Sequence, residues 1–196
     1  EIDLCGHATL ATAFVLMNYI DNRLTEVTFH TLSGQLTVKK QADLYEMDFP
    51  TIRIEPYELR DDMIEAIGVK PLEVYKGRDL IFALDSEETV KNITPDFDKI
   101  KKLPEGLAVF VTAKSDAFDF VARAFWPKLN INEDPVCGSM YCSLVPYWRK
   151  YITKKELIAR QVSKRGGTLY LKDEGDRLKI SGQAVLYASG QVNLAE

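Results

Sequence analysis

The feature that most constrains this chain is a repeat. Cys5-Gly6-His7 opens one apolar run and Cys137-Gly138-Ser139 opens another, 132 residues later (137 minus 5). Gly34 follows Gly6 by 28 residues, and Gly166 follows Gly138 by the same 28. Each leads into a strand-like stretch, Gln35-Leu36-Thr37-Val38 in the first case and Thr168-Leu169-Tyr170-Leu171 in the second. Self-similarity at a fixed offset marks a structural unit used more than once. The expectation is an α+β fold of two pseudo-symmetric lobes, each a sheet wrapped around a central helix. About sixty residues of strand and helix precede the second Cys-Gly motif within its lobe, but only four residues precede the first, so the first lobe is expected to be incomplete. That the chain starts on Glu1 rather than Met points the same way. The division expected is 1–70 for the partial N-terminal lobe, joined by the last C-terminal strand, and 71–196 for the C-terminal lobe.

Local patterns fill in the lobes. Residues 7–20 contain no Gly or Pro and are rich in Ala, Leu and Met, which predicts a buried helix. Alternating segments at 27–32, 35–39 and 44–49 predict antiparallel strands, with Ser33-Gly34 as a turn. A helix is expected over 56–68, with Asp61 and Asp62 near its start and Gly68 as its cap. Strands at 73–76 and 79–84 flank Gly77-Arg78, and a short acidic helix follows at 86–92. Further strands are expected at 107–113 and 118–125, then a turn-rich segment over 131–138. Residues 139–151 predict a second buried helix, kinked or broken by Pro146. Residues 153–160 read as helix, and strands are expected at 168–172, 177–180, 184–187 and 191–194.

Composition excludes several functions. With 25 basic and 29 acidic side chains the net charge is −4 and the pI is near 5.4. A surface without concentrated positive charge is poorly suited to nucleic acid, whose binding depends on counterion release by basic patches. The longest apolar stretch, residues 8–20, is interrupted by Thr9, Thr12 and Asn18 and falls short of the roughly 20 residues a membrane helix needs. Three cysteines are too few for a disulfide framework, which suits a reducing compartment, by default the cytoplasm.

The chemistry concentrates at the two repeated motifs. Each Cys-Gly pair immediately precedes a helix, where unpaired N–H groups and the positive dipole end attract anions. Two such ends facing each other would grip a carboxylate. The same setting lowers a thiol pKa, so Cys5 and Cys137 are candidate proton-transfer groups on opposite faces of a substrate carbon, whereas Cys142 reads as core. His7 is placed to transfer protons near neutral pH. Asp134, in Asp134-Pro135, is a candidate acid or base, although Asp-Pro is also ordinary turn chemistry. Ser139 would bind substrate through its hydroxyl or simply cap the helix. No phosphate loop, dinucleotide fingerprint or metal-ligand spacing is present, and neither cofactor nor metal is expected.

These motifs bring a resemblance into view. The stretches from Glu1 to Ala11 and Thr31 to Leu36, together with Arg78-Asp79-Leu80, Asp119-Phe120-Val121, Asn132 to Ser139 and Gln161 to Gly167, are similar to the PhzF-like phenazine-biosynthesis isomerases of the diaminopimelate epimerase fold superfamily. The resemblance implies two lobes, each a β-barrel around a central helix, with the site in the cleft between them. It also implies cofactor-independent acid–base isomerisation of a small carboxylate metabolite, commonly by a homodimer. By position, His7, Asp134 and Ser139 match polar site residues of the family, and Gly6 and Gly138 match glycines whose backbone lines the site. The family's proton-shuttling glutamate lies in a Ser-Glu-Thr segment upstream of the Cys-Gly-His motif, before Glu1. Cys137 departs from the threonine often found there and matches instead the second catalytic cysteine of diaminopimelate epimerases. A two-cysteine racemase using Cys5 and Cys137 is therefore the second reading, and a non-catalytic small-molecule binder on the same fold is the third.

Overall fold

A computed structural model describes residues 3–191. The first repeat unit consists of helix α1 (Gly6–Val15), ending in a π-helical turn (Leu16–Ile20), and a meander of β1 (Glu26–Thr31), β2 (Gly34–Gln41) and β3 (Leu44–Pro50). The second consists of α5 (Gly138–Trp148) followed by β10 (Glu156–Gln161), β11 (Gly167–Asp173) and β12 (Arg177–Gly182). Both meanders pair antiparallel throughout. The turn glycines Gly34 (φ +89) and Gly166 (φ +69) share the left-handed backbone that favours glycine. The repeat read from the sequence is thus a helix plus three strands.

Between the units lie β4 (Glu55–Pro56), α2 (Asp61–Ile67), β5 (Glu73–Lys76), β6 (Leu80–Ala83), α3 (Glu87–Asn92), α4 (Phe97–Lys102), β7 (Val109–Lys114), β8 (Phe120–Trp126) and β9 (Ile131–Asp134). One path of paired strands runs β1-β2-β3-β12-β11-β10-β8-β7-β6-β5-β4, with β9 on β8. The fold is α+β. Strand periodicity assigns each face its partner. On β8, Phe120, Ala122, Ala124 and Trp126 face the core that contains α5, while Val121 and Phe125 face the core under α2, α3 and α4. α3 and α4 lie in the crossover between the parallel pair β6 and β7, and α5 lies in the crossover between the parallel pair β8 and β10. Parallel neighbours require such connections.

Several expectations need correction. Residues 153–160 are not helical, since Glu156–Gln161 is a strand whose alternate residues Leu157, Ala159 and Gln161 are buried. Pairing on both sides, with β8 and β11, overrides the local helix signal. Residues 184–187 form no strand, and Val185 and Tyr187 are exposed. Of the strand expected at 191–194, residues 192–194 lie outside the described residues. The segment expected to be turn-rich contains β9, and α4 had no counterpart in the sequence reading. The helix over 7–20 forms but is not buried all round, with Val15, Tyr19 and Ile20 exposed. Pro146 neither breaks α5 nor leaves a buried carbonyl unpaired. Proline there removes the N–H that would bond the Cys142 carbonyl, and the Ile52 N–H donates to that carbonyl instead, at 2.8 Å.

Candidate active site

The two helix starts meet. A Cβ placed on Gly6 would lie 3.4 Å from the Gly138 Cα, and one placed on Gly138 would lie 3.6 Å from the Gly6 Cα. Only hydrogen side chains leave open the small space between these backbones. Cys5 and Cys137 occupy the N-cap positions with matching extended backbones, φ −124, ψ 102 and φ −101, ψ 105, and neither helix is capped by a side-chain hydrogen bond. The first N–H groups of an α-helix have no partner within it, and here two such helix starts lie side by side. This is the arrangement expected from the repeat.

Around this junction the structure brings some of the expected residues together. His7, on the second residue of α1, is exposed, and both its ring nitrogens lie 3.9 Å from the Cys5 sulfur. Cys5 is half-buried, and its carbonyl accepts from the Thr9 hydroxyl at 2.7 Å. Ser139 is buried, with its Oγ 3.5 Å from the Cys137 sulfur. Ser139 is therefore not the cap of α5, since it lies one turn position inside the helix and its hydroxyl is turned to other partners. Asp134 sits just before α5 in an Asx turn, where Oδ1 accepts from the Val136 N–H at 3.0 Å.

Cys137 does not have the lowered pKa that a helix start suggests. Burial pushes its thiol up to about 12, and the nearby Asp134 carboxylate adds to the rise. Desolvation outweighs the helix end because the buried sulfur has little contact with solvent to stabilise a thiolate. Burial likewise pushes Cys142 up to about 12, in keeping with its reading as core. Near neutral pH the Cys137 thiol holds its proton.

Two residues at the site were given no function of their own from the sequence. Gln161, fully buried at the end of β10, accepts from the Cys137 N–H at 2.7 Å and donates to the Asp134 carbonyl at 2.5 Å. It pins both ends of the turn that carries Asp134 into α5. Ser163 assists by donating to the Pro135 carbonyl at 2.7 Å. Gly167 is required beside it, because a Cβ there would come within 2.5 Å of the Val136 side chain. Asn132 to Ser139 and Gln161 to Gly167 both carry the family resemblance, and in space they form one clamp.

The second is Arg78, in the turn between β5 and β6. Its Nε donates to Asp79 at 2.8 Å, one Nη reaches Ser139 Oγ at 3.3 Å, and the other reaches Asp3 at 3.3 and 3.4 Å. Burial works against its charge, but the adjacent Asp79 carboxylate more than restores it, and its pKa is raised. A single cation thus links the approach to α1 with the first turn of α5. Among the described residues no group of three or more His, Cys, Asp or Glu side chains is placed to hold a metal ion. No helix among them is long and apolar enough to cross a membrane. A hollow of about 830 Å³ on the sheet surface is lined by residues of β2, β3, β10, β11 and β12 and by Lys154 and Lys155, and by none of Cys5, His7, Arg78, Asp134, Cys137 or Ser139.

Comparison with known proteins agrees with the geometry. The family described as phenazine biosynthesis-like protein, PhzC-PhzF, matches residues 1–190. An uncharacterized isomerase of Pseudomonas aeruginosa is 46% identical over 195 residues, which cover 99% of this chain and 74% of that protein. A crystal structure of a PhzF-family phenazine biosynthesis protein from Enterococcus faecalis superposes with a TM-score of 0.93 at 50% identity, covering 99% of this chain and 75% of the other. A hydroxyproline epimerase from Agrobacterium vitis, solved with trans-4-hydroxy-L-proline, has a TM-score of 0.60 at 13% identity, covering 94% of this chain and 65% of that one. At that identity the likeness is one of fold alone.

Proposed function

The chain belongs to the phenazine biosynthesis-like family and is an isomerase of the PhzF type, and from that premise we propose that it moves a proton on a small carboxylate metabolite held where α1 and α5 meet. The observation that carries the reading is the junction of two uncapped helix N-termini at Gly6 and Gly138. Such ends offer several N–H donors and two positive dipole ends to one anion, and the glycines let its oxygens reach the backbone. His7 and Asp134, which lead into or open the two helices, hold or exchange the proton, and Ser139 orients the substrate through its hydroxyl. In the family that the chain resembles, a glutamate upstream of the Cys-Gly-His motif shuttles the proton. The reaction draws on side-chain acids and bases alone, with neither metal nor organic cofactor.

A two-cysteine mechanism fits less well. A thiol held near 12 stays protonated near neutral pH and cannot abstract a proton, so Cys137 could act only as a weak proton donor and Cys5 would have to serve as the base. The test is proton exchange. The protein is incubated in heavy water with a panel of small carboxylic acids that carry an acidic C–H, and deuterium incorporation is followed by mass spectrometry. His7→Ala and Asp134→Ala should each abolish the incorporation shown by the unmodified protein while near-UV circular dichroism stays unchanged. Incorporation at the original rate in both variants would sink the proposal.

A further inference from the structure

Arg78 is built into the structure with more support than a turn needs. Asp79 is 1% exposed; its Oδ1 accepts the Leu107 and Ala108 N–H groups at 2.9 and 3.0 Å, and its Oδ2 accepts Arg78 Nε. The loop supplying those N–H groups is itself fastened. Lys128 donates to the carbonyls of Leu103, Glu105 and Gly106, and Gly106 (φ +58) sits where a Cβ would come within 2.8 Å of the Asp79 Cα. The guanidinium also packs over the Trp126 ring, 5.6 Å from its centroid. One edge of the guanidinium is therefore fixed.

The outward fork is not well satisfied. Its contacts with Ser139 and Asp3 are 3.3 to 3.4 Å long, against about 2.7–2.9 Å for a good charge-assisted bond. Asp3 is half exposed at its side chain, so it is a partner that an incoming anion can replace. A planar fork with two N–H groups matches the two oxygens of a carboxylate.

We propose that Arg78 is the residue through which the site selects an acid: its fork binds the substrate carboxylate beside the first turn of α5, displacing Asp3, while the helix ends supply the remaining donors. This rests on the carboxylate-binding reading above and names the charge that makes it selective. The turn Gly77-Arg78-Asp79 then serves as a rigid arm that places a cation at the junction of the two repeats.

The probe is benzoate, with benzamide as its uncharged counterpart, titrated into ¹⁵N-labelled protein while the Gly6, Gly138 and Ser139 amide signals are followed. Benzoate should move these signals with at least roughly tenfold tighter binding than benzamide. Arg78→Gln should weaken benzoate by about tenfold or more and leave benzamide unchanged. If leaving Asp79 without its partner unfolds Arg78→Gln, Arg78→Lys decides the matter, since it keeps a positive charge but loses the fork and should weaken benzoate severalfold with benzamide unaffected. Equal benzoate affinity in the variant that folds would overturn the role of Arg78 and leave the helix-end reading standing. If benzoate fails to move the Gly6 and Gly138 signals in the unmodified protein, the helix-end reading itself falls and this inference falls with it.

Discussion

α1 and α5 begin alike and end in different surroundings. Both start at an uncapped Cys-Gly, run through apolar residues and lead into a three-stranded meander. Yet in α5 every residue is buried except Gly138 and Pro146, whereas in α1 only Gly6 and Ala13 are. The strands following each helix show the same contrast, since β10 buries Leu157, Ala159 and Gln161 while β1 buries none of its six residues. The difference lies in what surrounds the helix. β5 to β8 come before α5 in the chain and add Tyr75, Ile81, Phe110, Phe120 and Trp126 to the core around it. In the described residues α1 packs mainly on its own meander. A helix of this composition is stable chiefly through what it packs against, so enclosure rather than propensity separates the two.

The largest expected contrast is in thiol chemistry. With its pKa at about 12 rather than 9.0, Cys137 at pH 8 should react with iodoacetamide roughly a thousandfold more slowly than the same residue in the unfolded chain. Cys5, half-buried at the start of α1, should be the first site alkylated. Peptide mapping after timed labelling measures both, and equal labelling of Cys5 and Cys137 in the folded protein would erase the contrast. The two buried thiols also carry a linkage. Their folded pKa values lie above the unfolded value, so the stability they lend is complete below about pH 9 and is lost as pH rises through 12.

Truncation in the two helices should differ in the same direction. Leu144→Ala in α5 removes a fully buried side chain and should cost about 2–5 kcal/mol in urea unfolding. Val15→Ala in α1, at a position 38% exposed, should cost less than about 1 kcal/mol. Similar losses would mean that α1 is as enclosed as α5. The smallest effect is expected at Pro146. A proline inside a helix ordinarily costs about 3 kcal/mol, but the Cys142 carbonyl it leaves free is already taken by Ile52. Pro146→Ala should therefore shift unfolding by no more than about 1 kcal/mol, and a gain near 3 would show that the Ile52 bond does not compensate.

Much of this was legible in the chain. The repeat located both helices, both left-handed turn glycines and the facing motifs, because each depends on short-range features: a run without Gly or Pro, a glycine in a tight turn, a Cys-Gly start. At the repeat's offset of 132 the strand expected at 27–32 falls on 159–164, which overlaps the end of the stretch read as helix and the end of β10. Residues 153–160 read locally as helix, and pairing with β8 and β11 overrides that preference in the molecule. The roles of Gln161 and Arg78 were not legible, because each acts on a turn far away in sequence: Gln161 on the turn before α5, and Arg78 on Ser139, 61 residues on.

By itself the sequence determined what periodicity and local chemistry can encode. This includes an α+β chain, a unit used twice, two Cys-Gly helix starts, and His7, Asp134 and Ser139 beside them. Tertiary structure decided what depends on neighbours distant in sequence: that α5 is enclosed and α1 is not, that Cys137 keeps its proton, and that Arg78 reaches Ser139. The physical reason is that burial, desolvation and ion pairing are properties of the space around a residue. That space is filled by strands and loops whose positions no local pattern specifies.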